Sequence, residues 1–150
     1  MADEKDPLAR LAAFYTGLTP ADLDRLETVY TPEARFKDPF NEVQGVAAIR
    51  RIFAHMFEGL ESPRFEVHQR IPAQVALPLP PQGLDTCLLW HFHFRLRGRA
   101  FTLRGASHVH LAADGRADLH RDYWDAAEEL YAKLPLLGGL MRWLQRRLAS

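Results

Sequence analysis

The chain has 150 residues, with 19 Lys+Arg balanced by 19 Asp+Glu, for a formal net charge of zero. That length suits one domain with a well-buried core, and the charge balance gives no global field to draw nucleic acid or an anionic membrane. A single cysteine, Cys87, excludes an internal disulfide framework and fits a reducing compartment, so a cytoplasmic location is expected.

The charged opening, MADEKDPLAR, does not read as a secretory signal, and no apolar run nears the roughly 20 residues of a membrane span. Leu8, Leu11, Ala12 and Tyr15 recur at helical spacing and predict a first helix from about Pro7 to Thr16. Thr19-Pro20-Ala21-Asp22 reads as an N-cap, a first-turn proline and an acid at the positive helix end. A second helix is therefore predicted to about Tyr30. Thr31-Pro32-Glu33 is expected to turn the chain, and Ala34 to Asp38 to form a short extended piece ended by Pro39. After Gly45, Ile49, Ile52, Phe53 and Met56 share one face of a third helix, from Val46 to about Leu60. Phe65, Val67, Gln69 and Ile71 alternate with Glu66, His68 and Arg70, as a strand requires, and Pro78 to Gly83 predicts a loop.

The stretch from Leu88 to Trp124 carries the most information. Trp90, Phe92, Phe94 and Leu96 alternate with His91, His93, Arg95 and Arg97, so the aromatic set faces the interior. A turn at Gly98-Arg99 would pair Leu96 with Phe101 and Trp90 with Ser107, placing Leu103, Gly105, Ser107, Val109 and Leu111 on the inner face. A second turn at Asp114-Gly115 would pair Val109 with His120 and Ser107 with Asp122. The inner face of the last strand then reads Asp118, His120, Asp122, Trp124. Polar groups on an otherwise apolar face commonly mark a functional site.

The string Tyr30-Thr-Pro-Glu-Ala-Arg-Phe-Lys-Asp38-Pro39, with Gly45-Val-Ala-Ala-Ile-Arg50, resembles the NTF2-like superfamily, nearest its ketosteroid isomerase and SnoaL-like branch. The resemblance implies an α+β cone: N-terminal helices packed on a strongly curved, mixed or antiparallel sheet with an apolar cavity between them. It spans residues 1–125, leaving 126–150 as a helical extension packed on the same domain or a dimer mate. It also implies a homodimer through the outer sheet face. In the isomerases the acid before proline removes a proton next to a carbonyl, and Asp38 matches it. Phe14, beside Tyr15, matches their first-helix tyrosine, and Ser107 matches their protonated aspartic acid. In the cyclases the acid/base aspartate lies on the last strand, where His120 and Asp122 stand.

The catalytic candidates are thus Asp38, His120, Asp122 and Tyr15. A carboxylate in an apolar cavity is suited to take a proton near neutral pH, but Asp38 is equally readable as the side chain of an Asp-Pro turn. His120 and Asp122, two apart on a strand, point the same way, and the acid can fix the imidazole's tautomer. A mutually satisfied buried pair is the alternative. Tyr15 is read as a donor to a ligand oxygen or as a packed tyrosine with its hydroxyl at the rim. Phe14, Phe53, Met56, Trp90, Phe92, Ser107 and Trp124 are the candidate ligand contacts. No metal or cofactor is expected. The pairs His91/His93 and His108/His110 fall on the outer face among Arg95, Arg97 and Arg104 with no acid evident nearby, so a polar dimer face is preferred to a metal site. The C-terminal stretch reads as a helix to about Lys133 and another from Leu137 to Leu148, docked on protein rather than on a membrane.

The expected partner is a small apolar ligand. Two functions fit: proton transfer by the carboxylates and His120 on a carbonyl or hydroxyl compound (isomerase, cyclase or hydrolase), or a non-catalytic binding or dimerisation module.

Overall fold

The computed structural model describes residues 5–71 and 77–131, with 138, 139, 143 and 146. Helix α1 (Pro7–Thr16) begins where Asp6 accepts hydrogen bonds from the Leu8 and Ala9 amides. A 3-10 helix (Pro20–Thr28) follows, entered through a capping box between Thr19 and Asp22. Then come β1 (Tyr30–Lys37), β2 (Glu42–Gln44), α2 (Val46–Gly59), β3 (Glu61–Ile71), β4 (Leu84–Leu96), β5 (Arg99–Leu111), β6 (Ala117–Tyr123) and the single turn α3 (Ala126–Glu129). Thr31-Pro32-Glu33 lies inside β1 rather than turning the chain. The second predicted helix of the C-terminal stretch falls largely outside the described residues. Among the described residues no helix is long and apolar enough to cross a membrane.

The six strands form one curved, unclosed sheet in the order β2-β1-β6-β5-β4-β3. All neighbours are antiparallel except β1 and β6, which run parallel. The 3-10 helix, α1 and α2 cover the inner face. Leu8, Leu11, Leu26, Ile49, Leu88, Val109 and Leu111 meet there with at most 2 % exposure.

The β4–β5 turn sits at Arg97-Gly98, both with positive φ (50° and 77°). That is the backbone twist a two-residue hairpin favours. Leu96 therefore pairs with Arg99, not Phe101, and Trp90 with Gly105, not Ser107. The slip is two residues, the period of a strand, so every side chain keeps its expected face. Across β5 and β6, Val109 pairs with His120 and Ser107 with Asp122, as the sequence predicts. A register shift between His110 and Leu111 then pairs Leu111 with Ala117. The expectation of an inward Asp118 is overturned there: Ala117 takes the buried position, and Asp118 turns out to His110 Nδ1 at 2.6 Å.

Burial lowers the proton affinity of His110, but the hydrogen bond and charge of Asp118, the charge of Asp85 and the Gln82 carbonyl outweigh it, so the pKa is raised. A raised folded-state pKa contributes stability that is full below the unfolded value of about 6.5 and lost as pH rises through the folded value. His110→Gln is therefore expected to destabilise the protein most near about pH 5.5 and less above about pH 7.5. Urea unfolding across that range checks it; a pH-independent difference would refute the assignment.

Candidate functional site

Strand alternation drives Trp90, Phe92 and Phe94 of β4 and Leu103 of β5 inward, toward Ile52, Phe53 and Met56 on α2. Between them lies a cavity of about 340 Å³, within the range of small-molecule sites. Phe36, Phe65, Trp124 and Leu130 complete its apolar wall. Phe65 stacks on Phe92 at 4.5 Å and meets Trp90 edge-on at 5.8 Å. Among the expected contacts, Phe53, Met56, Trp90, Phe92 and Trp124 line this space. Phe14 does not; it packs edge-on against Tyr15 at 6.2 Å, on the helix side.

Two carboxylates, Asp38 and Asp122, reach the same cavity, and His55 and Asn41 also border it. Asp38, Asp122 and Trp124 also line an open groove with Lys37, Arg121 and Asp125, at the C-terminal ends of β1 and β6. The acids therefore stand where the apolar cavity opens to water.

Their supports differ. Asp38 Oδ1 accepts from the backbone amides of Phe40 and Asn41 at 2.7 and 2.6 Å, and the Asn41 amide group bonds both carboxylate oxygens. It is the side chain of an Asx turn that shapes the rim. Asp122 ends a buried polar chain. His120 Nε2 donates to Asp122 Oδ1 at 2.7 Å, and Ser107 Oγ donates to the same oxygen at 2.5 Å. Trp90 Nε1 donates to Ser107 Oγ at 2.8 Å. On the far side of the ring, His120 Nδ1 lies 2.7 Å from the Tyr30 hydroxyl and 3.2 Å from that of Tyr15, and the two phenols bond each other.

One proton arrangement satisfies the whole set: Tyr30 donates to Nδ1, so Nε2 carries the imidazole proton and gives it to the carboxylate. Burial, helped by the charge of Asp122, holds both phenols well above their ordinary pKa, so they stay protonated donors. Both hydrogen bonds that Asp122 accepts among the described residues fall on Oδ1.

His120, Tyr15 and Ser107 do not line the cavity. They surround a crevice of about 10 Å³ behind Asp122, too small for a ligand. Their place is behind the carboxylate, orienting it. Tyr30 was not among the sequence candidates, because it was read as the end of a helix. Its signal was available only through the parallel pairing of β1 with β6, which sets Phe36 beside His120.

Residues 11–120 match the family model of SnoaL-like domains. The chain belongs to the SnoaL-like domain family. Solved structures similar to this SnoaL-like chain include a protein of ketosteroid isomerase-like fold from Catenulispora acidiphila DSM 44928 in complex with trimethylamine (TM-score 0.66, 15% identity, 87% of this chain and 95% of that one). An LEH-like epoxide hydrolase from M. tuberculosis is similar over 96% of each chain, with TM-score 0.63 and 14% identity. A protein assigned as a SnoaL-like polyketide cyclase from Jannaschia sp. CCS1 gives TM-score 0.61 and 17% identity over 81% of this chain and 85% of that one. At these identities the likeness establishes the NTF2-like cone fold alone. No curated protein matches the chain by sequence.

Gly105 sits under the Trp90 ring, and a Cβ there would fall 2.3 Å from Trp90 Cη2. Gly105→Ala is expected to push the indole off Ser107 and to cost ~1–3 kcal/mol by overpacking. Urea unfolding and the indole N–H signal in NMR check both; an unchanged signal would exclude this role for the glycine.

Proposed function

We propose that this SnoaL-like protein catalyses proton transfer on a small, flat, mostly apolar compound bearing a carbonyl or hydroxyl, with Asp122 as the base. The observation that carries this reading is the double membership of Asp122: it closes the buried chain through His120 and Ser107, and it also lines the cavity. A carboxylate held by two donors on one oxygen is fixed in direction, which a base must be before it can act. Stacked aromatic walls suit a planar ligand, and a cavity apolar except at its mouth suits a molecule with one polar end. His120 positions Asp122 and relays no proton to the ligand directly, since it does not reach the cavity. Asp38 holds the rim and is the second carboxylate in reach of a ligand. The similar structures, a SnoaL-like cyclase assignment and an LEH-like epoxide hydrolase, agree with a small-molecule cavity without choosing between reactions.

Exchange of α-protons for deuterium in a bicyclic aryl ketone, followed by NMR in D2O, tests the chemistry without knowledge of the natural substrate. The wild-type protein is expected to accelerate exchange, and Asp122→Asn to lower the rate by ~10²–10⁴-fold. Asp38→Asn, whose amide oxygen still accepts the two backbone amides of the turn, is expected to keep the rate within about tenfold. Loss confined to Asp38→Asn would move the base to the rim. Ketone binding without wild-type exchange would leave a binding module in place of an enzyme.

A further inference from the structure

The outer face of the sheet holds acids that the sequence reading did not place there. Glu66 pairs across β3–β4 with His91, and its Oε2 lies 3.0 Å from His93 Nε2. Asp85 meets His108 at 2.7 Å, and Asp118 meets His110. The reason for disfavouring a metal on this face, that no acid was near, is overturned.

We propose that Glu66, His91 and His93 form a binding site for one divalent transition cation of the zinc type. One ligand atom from each lies within 4.8 Å of the other two. Tetrahedral ligation with bonds of about 2.1 Å needs ligand atoms about 3.4 Å apart, a closure that side-chain rotation supplies. His91 and His93 are two apart on β4, so alternation turns both imidazoles the same way, and Glu66 stands on the neighbouring strand. His68 adds a third imidazole beside these, its ring 4.7 Å from that of His91.

A hydrogen bond already orients the His93 ring. Thr102 Oγ1 lies 2.9 Å from His93 Nδ1. When it accepts the Nδ1 proton, the Nε2 lone pair faces Glu66 and the cation. The arginines that would repel a cation are largely engaged elsewhere: Arg95 donates to the Gly98 carbonyl, and Arg104 is paired with Glu128 and Glu129. Arg64 approaches Glu66 only to 4.0 Å. Two imidazoles with a carboxylate select a borderline cation over Mg²⁺ or Ca²⁺, which prefer oxygen. Asp85–His108 and Asp118–His110 each offer a single imidazole with its acid, and so serve as internal controls.

The full chain, stripped with EDTA and dialysed, is titrated with ZnCl2 by calorimetry and with CoCl2 by absorption. One cation per chain is expected, with visible cobalt bands of tetrahedral intensity. Cobalt is expected to broaden the imidazole signals of His91 and His93 while sparing those of His108 and His110. His91→Gln, His93→Gln and Glu66→Gln should each weaken zinc by at least about tenfold, and His108→Gln should leave it unchanged. MgCl2 should give no heat. Absence of saturable zinc binding, or broadening at His108 and His110 in place of His91 and His93, overturns the site. The NMR arm uses the unmodified protein, so it decides the matter even where a variant fails to fold.

Discussion

His120 is 2% exposed, and each of its ring nitrogens has a partner. A buried nitrogen left without one costs ~1–3 kcal/mol. That requirement ties together four parts of the chain. Asp122 and Ser107 answer Nε2 from β6 and β5, while Tyr30 and Tyr15 answer Nδ1 from β1 and α1. The ring thus cannot be satisfied by the β5–β6 hairpin alone. It needs β1 laid parallel on β6 and α1 pressed against the inner face. The same arrangement fixes the direction of Asp122, so what stabilises the core also orients the carboxylate at the cavity.

The cavity divides its tasks by position. Its far wall is aromatic and offers area without direction: Phe65 on Phe92, Phe92 on Phe94. Direction comes from the polar groups that border it, above all at the mouth, where Asp38 and Asp122 meet an open polar groove. Under the proposed function, a ligand would enter apolar end first and leave its polar group beside the acids. Members of a family with this plan can change substrate by changing the wall while keeping the mouth.

Much of this was legible in the sequence because strand parity survives errors of two residues. Placing the β4–β5 turn at Gly98-Arg99 instead of Arg97-Gly98 moved every partner yet left Trp90, Phe92, Leu103 and Ser107 on their correct face. An error of one residue does not survive, and Asp118 was misplaced where the ladder shifts beside His110. Contacts between distant segments were the least legible. The parallel β1–β6 pairing joins residues far apart in sequence, so Tyr30 stayed hidden in a supposed helix. The outer-face acids were missed likewise: Glu66 and Asp85 reach their histidines across strands, and Asp118 does so through the shift. The three-helix pattern read directly because helix-forming signals are local, although the middle one tightened into a 3-10 helix.

The parallel pairing also joins the strands of the sheet that lie farthest apart in sequence among its neighbours, Tyr30 with Ala117. During synthesis the ribbon of β3, β4 and β5 has its partners available as soon as it emerges, since each strand folds back on its predecessor. β1, made long before, has only the short β2 as a strand partner until residues 117–123 arrive to bridge it to that ribbon. Non-local pairing of this kind slows folding in general, because the loop-closure entropy is spent before the contacts form. Asp122 and His120 ride on that bridging segment, so a chain that ends before it carries the aromatic side chains of β3 and β4 without them. The strand that joins the two ends of the sheet is also the strand that brings Asp122 to the cavity.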